Sequence, residues 1–106
     1  MNIQKLMKEA QKAQKKMAEA QERLDNLSVE GSAGGGMVTA TASGNGAITK
    51  VNIDPGVIDP EDAELLEDLV MAAVNEAQRK AKELQESELG SAMGGLGGLG
   101  GMGGMF

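Results

Sequence analysis

MVTATASGNGAITKVNID, residues 37–54, sets two short strand-like runs on either side of a glycine-asparagine-glycine break. Val, Ile and Thr are enriched on each side, and Asn45-Gly46 is the strongest short signal for a β-hairpin turn. With Asn45 and Gly46 as the two turn residues, Val38 faces Ile53, Ala40 faces Val51 and Ala42 faces Thr49. The other side pairs Thr39 with Asn52 and Thr41 with Lys50. One dry face and one wet face describe an antiparallel sheet covered on one side only.

Downstream of the hairpin, Asp54-Pro55-Gly56 reads as a turn. Asp59 then suits an N-cap and Pro60 the first position of a helix. Its buried stripe is Leu65, Leu66, Leu69, Val70, Ala73, Ala77, Ala81 and Leu84, widened by Met71 and Val74. The helix is expected to reach Glu88, with Gly90 as its stop. Upstream, the glycines at 31 and 34–36 end helical continuity; residues 28–32 can add a strand and 33–36 form a flexible loop. The glycines lack the Gly-Lys-Ser/Thr ending of a phosphate loop. Before them, Ile3, Leu6, Ala10, Ala13, Met17, Ala20, Leu24 and Leu27 recur at spacings of three and four, the seam of a helix over 2–27.

The expected fold class is α+β: a helix, two or three antiparallel strands and a second helix. Helices of about 26 and 30 residues run roughly 39 and 45 Å, while a seven-residue strand spans only about 23 Å. One small sheet cannot cover both helices, so their overhanging seams must meet each other or a second copy of the chain. A homodimer is the structural expectation. Phe106 is the one aromatic residue in 106, which leaves a thin core that favours self-association.

Residues 1–88 form the folded unit in this reading. Residues 89–106 end in MGGLGGLGGMGGMF, a composition expected to behave as a flexible tether with weakly sticky Leu and Met points. No apolar run approaches membrane-spanning length, and the charged N-terminus does not resemble a secretory signal, so a cytoplasmic protein is expected.

The chain has no Cys and no His, which removes thiol chemistry, histidine catalysis and the usual zinc ligand sets. Glu67 and Asp68 are adjacent on a helix and point about 100° apart, so they do not converge as an acid–base or metal pair. No enzyme, cofactor, metal or small-molecule substrate is expected.

Net charge is −6, but it is unevenly spread. Residues 1–24 carry six Lys/Arg against three Glu, whereas 59–68 hold six acids and no base. Lys5, Lys8, Lys12 and Lys15, with Lys16 beside them, make a basic stripe opposite the apolar seam. The stripe turns acidic at Glu19 and Glu22. Charge pattern alone leaves two readings open: a solvated helix face, or a surface for the phosphates of duplex DNA. The scarcity of aromatic residues argues against single-strand binding, which uses stacking platforms. Arg79, Lys80 and Lys82 form a second cluster that can extend the patch.

VNIDPGVID (51–59) followed by PEDAELLEDLVMAAVNEAQRKAKE (60–83) closely resembles the YbaB/EbfC family of bacterial nucleoid-associated proteins. NIQKLMKEAQKAQKKMAEAQERLDNLSVEG (2–31) resembles that family's first helix in its Met, Gln and Lys content. The resemblance covers residues 1–88. It implies a homodimer of α-β-β-β-α subunits with helical arms, duplex DNA binding of low sequence specificity, and a nucleoid role in DNA organisation or gene regulation. It places Lys5, Lys8, Lys12 and Lys15 at the family's basic first-helix positions, and Arg79, Lys80 and Lys82 at its late second-helix basic stretch.

The rival reading is a protein-interaction or scaffold module without a DNA role, reaching a protein partner through the tail.

Overall fold

The computed structural model describes residues 2–93. Helix α1 (Ile3–Asn26) leads into strands β1 (Ser28–Ala33), β2 (Val38–Ser43) and β3 (Ile48–Ile53). A single 3-10 turn (Pro55–Val57) precedes the long helix α2 (Ala63–Met93). The architecture is α+β in the order α-β-β-β-α, with one antiparallel sheet of strand order β1-β2-β3. The tail residues 94–106 lie outside the described part.

Asn2 starts α1: its side-chain oxygen accepts from the N–H groups of Gln4 and Lys5 at 3.0 and 3.3 Å, satisfying two of the donors that a helix start leaves open. The start of α2 differs from the sequence expectation. Asp59 accepts the Glu61 N–H on its side chain at 2.9 Å and the Asp62 N–H on its carbonyl at 2.9 Å. Residues 59–62 therefore close a turn with Pro60 at its second position, where proline's fixed φ fits. Asp62 takes over the cap, accepting from the Leu65 N–H at 3.3 Å. The end differs too. Gly90 does not take the left-handed conformation that would make it a stop, and α2 continues to Met93.

The hairpin keeps its expected register from Val38↔Ile53 through Thr41↔Lys50 and then departs from it. Ala42 pairs with Ile48 rather than Thr49, because a bulge follows Thr41. The loop is three residues, Gly44–Gly46. Ser43 accepts from the Gly46 N–H at 2.9 Å and donates its own N–H to Ala47 at 2.8 Å. Gly46 sits at φ +92°, the left-handed position that ends a three-residue hairpin loop. The bulge turns Ile48 onto the dry face. Thr49 instead donates its hydroxyl to the Thr41 carbonyl at 3.3 Å.

Gly31 lies in β1, as the strand expected over 28–32 has it, and its place explains how α2 sits on the sheet. A Cβ there would lie 2.3 Å from the Ala77 nitrogen and 2.4 Å from the Ala73 oxygen. The helix backbone thus rests directly on the strand. Around this contact Val38, Ala40, Ala42, Ala73, Ala77 and Ala81 are fully buried. Small side chains at i, i+4 and i+8 on α2 are what allow that approach. The base of α1 is seated similarly: a Cβ on Gly44 would meet the Leu24 oxygen at 2.5 Å, and Ala20 and Leu24 are fully buried.

Candidate nucleic-acid interface

The arm geometry follows from where α2 goes after it leaves the sheet. Lys80 donates to the Glu30 carbonyl at 2.9 Å and Gln85 to the Gly44 carbonyl at 2.9 Å. Arg23 then bridges Glu88 at 3.0 Å. From that bridge α2 runs five residues to Met93, about 7.5 Å, while α1 runs twenty residues back to Ile3, about 30 Å. The outer part of α1 therefore stands about 22 Å clear of the described end of α2. The molecule is 70 Å long, against about 46 Å for α2 alone, which agrees with that overhang. Arg23 and Glu88 are 65 positions apart, and no spacing rule in the sequence connects them.

The seam that looks continuous in the sequence is covered only at its base. Ala13 and Met17 are half-buried, whereas Ile3, Leu6 and Met7 are exposed. On the other side of the arm, Lys5, Lys8, Lys12, Lys15 and Lys16 are all exposed. Among the described residues none of the five makes an ion pair. At 100° per residue they split into two rows, Lys8 with Lys15 and Lys5 with Lys12 and Lys16, about 70° apart. Five like charges on about three helical turns, held away from the acidic body, form a positively charged rod of the right form to lie against phosphates.

The second cluster is differently placed. Arg79 pairs with Glu83 at 2.5 Å and Lys80 with Glu76 at 3.2 Å, both one helical turn away. Lys82 is exposed and makes no ion pair among the described residues. Lys82 lies about 9 Å on the sheet side of the Arg23–Glu88 level, and Lys16 about 10 Å on the arm side. The two clusters are separated by about 20 Å along the axis and do not merge into one patch. Between them lies an open groove lined by Glu19, Glu22, Arg23, Asn26, Leu27 and Glu88. Its three carboxylates repel phosphate and set the inner limit of any contact to the arm.

Among the described residues no group of His, Cys, Asp or Glu is arranged to hold a metal ion. No helix among them is long and apolar enough to cross a membrane.

Comparison with known proteins converges on one group. The model of the YbaB/EbfC DNA-binding family matches residues 1–96. A nucleoid-associated protein of Ruminiclostridium cellulolyticum is 52% identical over 94 residues, 89% of this chain and 82% of that protein. One of Saccharopolyspora erythraea is 49% identical over 93 residues, 88% of this chain and 80% of that protein. The crystal structure of the uncharacterized protein HP0035 from Helicobacter pylori shares the fold, with a TM-score of 0.73 at 23% identity, covering 82% of this chain and 91% of that one.

Proposed function

The chain belongs to the YbaB/EbfC DNA-binding family, and on that premise we propose that it works as a homodimer that binds duplex DNA with low sequence specificity and takes part in nucleoid organisation or gene regulation. The observation that carries this reading is the run of five exposed lysines on a projecting arm, none of them in an ion pair among the described residues. Two arms lay their stripes on phosphates, which position a protein on DNA without reading its sequence. Lys82, beyond the acidic groove, offers a second and separate contact, and Arg79 joins it after exchanging Glu83 for phosphate, while Lys80 stays held by Glu76 and the Glu30 carbonyl. Ion pairs this exposed are worth little, so the exchange is easy.

The dimer has its own support. Among the described residues, six of the eight fully buried apolar side chains are alanines, with Leu24 and Val38 the larger two. Meanwhile Met37, Val51, Ile58 and Leu65 are left exposed around β3 and the start of α2. A second copy seated there would supply the core that a single chain lacks.

Two measurements test the reading. Gel-shift titrations of a duplex at rising salt are expected to give a log–log slope steeper than about −4, as for several released counterions per dimer. A flat slope, or no shift at about 50 mM salt, contradicts DNA binding. Sedimentation is expected to report twice the 10.9 kDa chain mass, and Val51→Glu to shift it towards the monomer because a charge cannot be buried unpaired. A monomeric wild type would remove the dimer from the proposal.

A further inference from the structure

The arm carries more than charge. Gln4, Lys8, Gln11 and Lys15 fall at i, i+4, i+7 and i+11 and lie within about 60° of one another around α1. All four are exposed. Lys5, Lys12 and Lys16 form a separate row about 90° round the helix. Among the described residues neither glutamine side chain has a hydrogen-bond partner: at the helix start, Asn2 is engaged only by the backbone N–H groups of Gln4 and Lys5.

We propose that the arm enters the major groove with the Gln4–Lys8–Gln11–Lys15 row towards the base edges and the Lys5–Lys12–Lys16 row against one phosphate strand, and that Gln4 and Gln11 read adenines. This rests on the DNA-binding reading above and gives it a modest sequence preference.

The dimensions suit it. A helix with its side chains is about 10–12 Å across, and the major groove is about 12 Å wide. The free arm of about 22 Å is long enough to cross six base pairs at 3.4 Å each. A glutamine amide donates to adenine N7 and accepts from adenine N6, a pairing that no other base offers in the major groove. Gln4 and Gln11 are seven residues apart, about 10.5 Å along the helix, which is about three base-pair steps. The preferred element is therefore two adenines three pairs apart on one strand, with the intervening pairs unread.

The test uses the full chain and duplexes of about 20 base pairs that differ only in the spacing of two adenines. Wild type is expected to bind the three-step duplex at least about fivefold more tightly than a shuffled one, the lower bound for a single bidentate base contact. Replacing those adenines by 7-deazaadenine, which lacks N7, is expected to abolish the difference. Gln4→Ala with Gln11→Ala is expected to bind all three duplexes alike, with the salt slope of the wild type. Binding without discrimination by the wild type, or discrimination that survives the double substitution, overturns the readout and leaves phosphate binding standing. No binding to any duplex at low salt overturns both.

Discussion

Lys5→Glu combined with Lys12→Glu is expected to weaken duplex binding by about a thousandfold or more at 0.1 M salt. The estimate comes from counterion release. Each phosphate contact contributes about 0.9 of a factor of ten for every tenfold dilution of salt below 1 M. A dimer loses four such contacts, between three and four factors of ten, before the added repulsion is counted. The substitution should leave the fold intact. Both positions are exposed on the overhanging arm, and glutamate is about as good a helix former as lysine. The check is a gel-shift or anisotropy titration beside circular dichroism and a melting curve. Unchanged affinity in a folded variant would return the stripe to a solvated face. Arg79→Ala is the contrasting case. Its guanidinium is already engaged by Glu83, so its removal is expected to cost less than about tenfold, the size of one exchangeable contact.

Gly31→Ala is expected to be among the most destabilising single substitutions in the chain, although it adds one methyl group. That methyl would meet the Ala77 nitrogen at 2.3 Å and the Ala73 oxygen at 2.4 Å. These are helix backbone atoms, which cannot rotate aside as a side-chain tip can. Relief requires α2 to lift off β1. That loosens the packing around Ala40, Ala73, Ala77 and Ala81, all fully buried. Overpacking of this kind costs about 3 kcal/mol. In a domain of this size that lowers Tm by upwards of about 10 °C at fixed protein concentration. A melting curve within about 2 °C of wild type would show that the helix does not press on Gly31 as described.

Legibility in the sequence followed the range of the interaction. The α+β class, both long helices and the hairpin were readable, because the apolar period of each segment is a local property. The lower hairpin register was readable for the same reason: a slip of one residue would have put Thr39 and Thr41 into the core. Boundaries were read less well where two local signals competed. Asp59 and Asp62 are both good caps, and their hydrogen bonds decide between them. The Asn45-Gly46 signal named the right turn with the wrong length, because Gly44 was free to join the loop. The strand over 28–32 was readable, but what Gly31 is for, close approach by a helix more than forty residues away, leaves no local mark.

The candidate site divides in the same way. The lysines at 5, 8, 12, 15 and 16 were legible from helical spacing, as were the acids that end the stripe. That they ride on a free arm was not. It depends on Arg23 meeting Glu88, on α2 passing Gly31 and Gly44, and on the level at which the two helices part. The sequence by itself determined which side chains share a face, since that follows from 3.6 residues per turn. The tertiary structure alone decided which faces are covered, because coverage depends on contacts between residues distant in the chain. It buried Ala20 and Leu24, left Ile3, Leu6 and Met7 in the open, and engaged Arg79 and Lys80 while leaving the arm's lysines without an ion pair among the described residues.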